Sequence, residues 1–223
     1  MPEHRYTSYY KVKMYEGGIA MLLIKMPVAT VSRVYRAPNV TMLYPQVIGH
    51  RNMYAGMLMN KNIRERMTEL VRDLRQPDLK TTIEGSYEIK NNQRGILSLS
   101  LVGLAEFGGA HPMTKVYSLT MDTATGENYQ LHQLFVPGSA YMDIINAEIA
   151  RQIKARDIPL LEGFKGIAPD QDYYVSDITL VVYFQLYELS PYAAGFPYFP
   201  IPLYMLTKVI PENGLLSRLN YFI

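Results

Sequence analysis

Four histidines, His4, His50, His111 and His132, are the side chains best suited to move a proton near neutral pH or to hold a transition metal. No two stand four residues apart, the spacing that sets two imidazoles on one helix face around zinc, so the helical zinc-hydrolase pattern is missing. The chain has no cysteine, which removes thiolate metal sites, disulfides and a cysteine nucleophile together. His111 is the most interesting of the four: Gly108 and Gly109 before it allow close backbone approach to a ligand, and Pro112 stiffens the backbone after it. A turn histidine bonded to backbone fits the same surroundings. Residues 157–177 carry Asp157, Glu162, Asp170, Asp172 and Asp177, but Val175 stands where a calcium loop needs its sharp-turn glycine, and no glutamate closes the loop. Gly-x-Ser-x-Gly and a Gly-rich phosphate loop are also missing. No metal site and no cofactor is therefore expected.

The segment Tyr183 to Phe196 concentrates the remaining chemistry. An apolar strand runs into Tyr187-Glu188, then into Ser190-Pro191-Tyr192 and the small residues ending at Gly195 and Phe196. Tyrosine joins a large apolar face to a polar tip, so Tyr187, Tyr192 and Phe196, with Glu188, could line a recognition groove near His111. In the alternative, Glu188 caps backbone amides and the tyrosine rings pack on the core. Two functions are compatible with these residues: a non-enzymatic binding domain, or a hydrolase or carbohydrate-modifying enzyme using His111 and Glu188.

Period-two runs up to about Tyr44, among them Ile19 to Met26 and Val28 to Tyr35, predict strands, with Pro38 and Pro45 as breaks. From about His50 to Arg75 the period changes. Met53, Met57, Ile63, Met67, Leu70, Val71 and Leu74 form one stripe opposite Arg64, Arg66, Glu69, Arg72 and Asp73, which predicts an amphipathic helix ending before Pro77. A hairpin turning at Asn91 to Gly95 and a strand from Lys115 to Met121 come next. Met142, Ile145, Ile149 and Ile153 predict a second helix over about 140–156, capped near Ser139. Ile178 to Leu186, almost wholly apolar, reads as a central strand, with each helix covering one face of the sheet around it. Strands and helices in runs indicate α+β: a mainly antiparallel sheet with two amphipathic helices packed on it, in two intimately joined subdomains.

At 223 residues with 48% hydrophobic and 19% charged side chains, the chain has the composition of a globular protein with a sizeable core. No segment approaches the roughly 18 apolar residues of a membrane-spanning helix. The apolar run at Ile19 comes after Glu16-Gly17-Gly18 rather than a basic cluster and does not read as a signal peptide, so the chain stays in the cell or lies outside it after losing a leader or anchor. Residues 1–100 hold 15 Lys+Arg and 8 Asp+Glu, while 101–223 hold 7 and 12, a balance of +7 against −5. The basic residues on the first helix are interleaved with acids rather than aromatics, which disfavours nucleic acid.

Gly108-Gly109-Ala110-His111, Asp122 with Thr125-Gly126 and Leu134-Phe135, and Tyr187-Glu188 through Pro191-Tyr192-Ala193-Ala194-Gly195 resemble the RsiV-like sensory domain family in order and type. Tyr44-Pro45-Gln46-Val47 before the first helix, with Asn60 inside it, is similar to a PdaC-type companion N-terminal module. The resemblance implies a companion module over 1–95, an RsiV-like domain over 96–223, and an extracytoplasmic role in sensing or ligand binding. The resemblance does not carry over a partner. The −5 balance of residues 101–223 has the sign to attract a lysozyme-like basic protein, and a peptidoglycan fragment is the other expected ligand. The candidate binding residues are His111, Tyr187, Glu188, Tyr192, Gly195 and Phe196. The chain lacks the sigma-binding segment and the deacetylase domain of such proteins, and Gln185-Leu186 stands where Asn-Pro is expected.

Overall fold

The structure, a computed structural model, describes residues 11–15, 18–22, 26–76, 78–109 and 111–219. His4, part of the first apolar run and Ala110 of the glycine motif lie outside the described residues. β1 (Lys11–Tyr15) and β2 (Gly18–Leu22) form an antiparallel pair.

β3 (Ala29–Ala37) and β4 (Val40–Ile48) make a hairpin, and α1 (Met53–Leu74) comes after it. β5 (Thr82–Gln93), β6 (Ile96–Glu106) and β7 (Met113–Asp122) then complete a five-stranded sheet in the order β3-β4-β5-β6-β7. Its pairs are antiparallel except β4 with β5, which run parallel over Val40–Met42 and Ile83–Gly85. That short pairing explains why Pro45 does not end β4. Proline is tolerated where a strand has a free edge, and Pro45 lies beyond the stretch bonded to β5, still opposite Ser32. The expected boundary between residues 95 and 96 falls in the β5–β6 turn, where Arg94 and Gly95 both take positive φ, as a tight hairpin demands.

Helix α1 begins where the Asn52 side chain accepts a hydrogen bond from the Ala55 N–H. It lies on one sheet face, with Met59, Ile63, Met67, Leu70, Val71 and Leu74 against Leu97, Leu99 and Leu101. The sequence stripe is corrected at its start, because Met53 and Met57 are exposed, at 77% and 67%. Ala55 and Gly56 take the buried side of the first turn, where the chain at Gly126 comes too close for methionine: a Cβ on Gly126 would lie 2.5 Å from the Ala55 carbonyl oxygen.

α2 (Tyr141–Arg156) starts one residue later than a Ser139 cap implies, and Ser139 caps nothing: Ala140 is the N-cap and the Ser139 hydroxyl is buried without a partner. β8 (Tyr173–Ser176), β9 (Thr179–Tyr183) and β10 (Tyr198–Pro202) form a separate antiparallel sheet in the order β10-β9-β8. The expected central strand is thus real, with Leu180 to Tyr183 buried, but it is central to this second sheet. The two helices therefore serve different sheets, α1 the larger and α2 the smaller, instead of covering two faces of one. Ile145 and Ile149 of α2 join Val175, Leu180, Val182, Phe199 and Ile201 in the second core.

The two sheets meet on the face of β6 and β7 opposite α1. Ser98 pairs with Thr120 at 2.9 Å and Ser100 with Ser118 at 2.9 Å, and Ser98 Oγ also accepts the Val175 N–H at 3.0 Å. Small hydroxyl residues let β8 approach and satisfy a backbone donor that burial would otherwise penalise.

Candidate functional site

Past β9 the chain makes a turn that is pinned from three sides. Glu188 accepts hydrogen bonds from the Gln185 N–H (2.7 Å, Oε2) and from Gln171 Nε2 (3.0 Å, Oε1). The Gln185 side chain behaves like a strand residue at the margin of β7: its oxygen accepts the Val116 N–H at 3.2 Å, and its Nε2 donates to the Val116 oxygen at 2.7 Å and to Asp172 Oδ2 at 2.6 Å. Between these anchors Tyr187 is held at φ +66, a conformation costly for a ring-bearing residue, and the residue is 46% exposed.

That geometry carries Tyr187 to His111. The Pro112 carbonyl can only accept, so His111 Nδ1, 3.0 Å away, carries the proton, and Nε2 accepts from the Tyr187 hydroxyl at 3.1 Å. The imidazole stacks on Tyr192, with centroids 3.9 Å apart and planes at 22°, and the Tyr192 hydroxyl donates to the Pro112 oxygen at 3.0 Å. Of the candidate residues, His111, Tyr187 and Tyr192 form one aromatic corner. Glu188 is turned away into the Gln171 and Gln185 bonds and makes no ion pair with His111. Gly195, at φ +70, turns the chain toward Phe196, which lines a separate cavity of about 470 Å³ with Pro191, Ala193 and Pro197.

A larger cleft of about 760 Å³ runs between α1 and residues 170–173, with Ser118, Thr120 and Tyr129 also on its walls. Among its cations, Arg66 pairs with Glu69 at 2.7 Å and lies 4.1 Å above the Tyr117 ring. Behind it, Tyr117 donates to Asp73 at 2.5 Å, a bond that holds the Asp73 carboxyl below its ordinary range, while burial, more than Asp73 itself, pushes the Tyr117 hydroxyl up. Asp172 faces Arg66 at 3.7 Å, too far for a hydrogen bond, and burial raises its pKa despite the bond from Gln185. In the sequence these walls show only as a helix with interleaved charges and an acidic loop without a calcium pattern. Gln171 and Gln185, two amides beside an apolar strand, were the signal that something polar needed holding there.

Among the described residues no group of three or more His, Cys, Asp or Glu is placed to hold a metal ion. None of the hydrogen bonds made by His50 or His111 involves a serine hydroxyl. No helix among the described residues is long and apolar enough to cross a membrane.

The α+β fold described above is shared by solved structures. Residues 132–204 match the DUF3298 family, described as a protein of unknown function. A DUF3298 family protein of Pseudomonas aeruginosa superposes with a TM-score of 0.65 at 15% identity, covering 84% of this chain and 96% of that one. A DUF3298 family member of Bacteroides fragilis gives 0.55 at 12% identity, covering 88% and 97%. At such identities these likenesses speak for the fold. Esterase Rv3036c of Mycobacterium tuberculosis is 31% identical over 102 residues, 44% of this chain and 45% of that protein. The matched stretch is therefore less than half the length of that relative. The DUF3298 match contains Tyr187, Tyr192 and Asp172 but neither His111 nor the cleft wall on α1.

Proposed function

We propose that this chain is a non-catalytic ligand-binding domain of the cell envelope whose contact surface is the corner of His111, Tyr187 and Tyr192, and that its ligand is a cell-wall glycan fragment. The observation that carries the reading is the engagement of both His111 ring nitrogens, one by a carbonyl and one by a tyrosine, with the ring stacked on a second tyrosine. A general base needs a nitrogen aimed at a nucleophile or substrate proton. This one is spent on fixing a surface. Half-exposed rings with hydroxyl tips suit a pyranose, which has an apolar C–H face and a polar rim. Both Glu188 oxygens already accept hydrogen bonds inside the turn, which ties this carboxylate to the fold, and the aromatic corner makes glycan the preferred ligand over the lysozyme-like partner. The similarity to RsiV-like domains supports the envelope setting.

Isothermal titration with soluble peptidoglycan fragments, with a basic lysozyme alongside, tests the reading. Saturable glycan binding, weakened about tenfold by Tyr192→Ala, is expected. Lysozyme binding without glycan binding would overturn the choice of ligand. Saturable hydrolysis of a short-chain ester, abolished in His111→Ala, would overturn the non-catalytic reading and bring the chain into line with the name of its mycobacterial relative.

A further inference from the structure

The cleft between α1 and residues 170–173 differs from the aromatic corner in its chemistry. Along α1 most charges neutralise one another: Lys61 pairs with Glu65, Arg66 with Glu69, and Arg72 with Glu69 and Asp73. Arg64 is the exception, a cleft residue whose guanidinium has no ion pair or side-chain hydrogen bond among the described residues. On the opposite wall Asp170 is likewise without an ion pair or hydrogen bond, and Asp172 keeps one oxygen beyond hydrogen-bond reach of its nearest cation. An unpaired cation thus stands on one wall, and on the other an unpaired carboxylate, Asp170, beside Asp172, whose Oδ1 has only the 3.7 Å ion pair with Arg66.

We propose that this cleft is a second binding site, separate from the aromatic corner, for a small zwitterion such as an amino acid or short peptide. Its ammonium group is taken by Asp172 and Asp170 and its carboxylate by Arg64. A purely anionic ligand would meet the carboxylates, and a purely cationic one would meet Arg64 and Arg66. A ligand carrying both charges answers both walls. Asp172 is the stronger contact because it is largely withdrawn from water, its side chain only 21% exposed, so a charged partner there competes with less solvent. Gln185 holds the carboxylate in place through Oδ2, leaving Oδ1 for the ligand.

The test is a titration of the full chain, monitored by amide chemical shifts, with alanylglycine, with putrescine as the amine alone and with succinate as the carboxylate alone. Alanylglycine is expected to shift residues 62–72 and 170–173, with Asp172→Asn and Arg64→Gln each weakening it about tenfold. Tyr187→Ala should leave this binding unchanged, which separates it from the glycan reading. Equal response to putrescine or succinate, no response to alanylglycine, or binding unaffected by both cleft substitutions would overturn the proposal. Both substitutions keep a polar side chain, and an unchanged amide spectrum of each free variant establishes that it is folded.

Discussion

Arg218 closes on Asp122 with two parallel hydrogen bonds, Nη1 to Oδ1 at 3.0 Å and Nη2 to Oδ2 at 2.7 Å, so that a helical turn near the chain's end is bound to the end of β7. The Asp122 side chain is only 5% exposed, and its Oδ1 also accepts the Ala124 N–H at 2.8 Å. The carboxylate therefore starts the turn after β7 and receives the C-terminal segment at once. Removing the arginine takes a bidentate guanidinium partner from a buried carboxylate. Arg218→Met should cost about 3 kcal/mol in urea unfolding, and the double variant with Asp122→Asn less than the sum of the two singles.

The same turn sets the seating of α1. Gly126 has φ +82, and a Cβ there would lie 2.5 Å from the Ala55 carbonyl oxygen and 2.9 Å from Leu58 Cβ. Gly126→Ala combines the strain of a left-handed backbone with a clash against the helix, and should lower stability by about 2 kcal/mol or more. Thermal unfolding reads the effect. A near-neutral result would mean that α1 shifts freely on the sheet.

Acid sensitivity should come in part from α2. Glu148 is buried and accepts two hydrogen bonds from Arg151 (2.8 and 2.7 Å) and one from Gln152 (2.9 Å), and the Arg151 bonds foremost hold its carboxyl below the ordinary 4.5. A carboxylate with a lowered native value adds stability that is fully present above 4.5 and is lost as pH falls through the native value. Glu148→Gln should therefore reduce stability at neutral pH and flatten its fall in acid, as read from urea midpoints across that range.

Asp172 has the opposite sign. Its carboxyl is raised above 3.8, chiefly by burial, so its charged form costs the native state free energy at neutral pH, and the cost vanishes below 3.8, where both states are protonated. Asp172→Asn should raise the Tm at neutral pH and leave it unchanged in acid. A gain in stability together with lost alanylglycine binding is the pattern of a residue kept for a ligand rather than for the fold.

Periodicity made the α+β class, both helices and the apolar strand at 179–183 legible, because those segments bury a continuous face whose spacing survives in the residue order. It did not reveal that β9 belongs to a second sheet, since an apolar run says a strand is covered but not by what. Met53 and Met57 were misplaced because the packing at Gly126, 73 and 69 residues away in sequence, decides which side of the first turn is buried. His111 and Tyr187 stood out as residue types, but their meeting depends on the positive φ of Tyr187, which the Gln185 and Glu188 bonds enforce. The cleft was hidden further: Arg64 and Asp172 each look like an ordinary surface charge until the fold sets their walls face to face.

Chemical-shift mapping of the isotope-labelled chain with soluble peptidoglycan fragments tests the central claim most directly. The account predicts that saturable shifts cluster on His111, Tyr187, Tyr192 and their immediate neighbours, that Tyr187→Ala and Tyr192→Ala each move the titration midpoint about tenfold higher, and that the glycan is recovered unaltered. Shifts confined to other surfaces, or glycan recovered as cleaved or deacylated product, would contradict it.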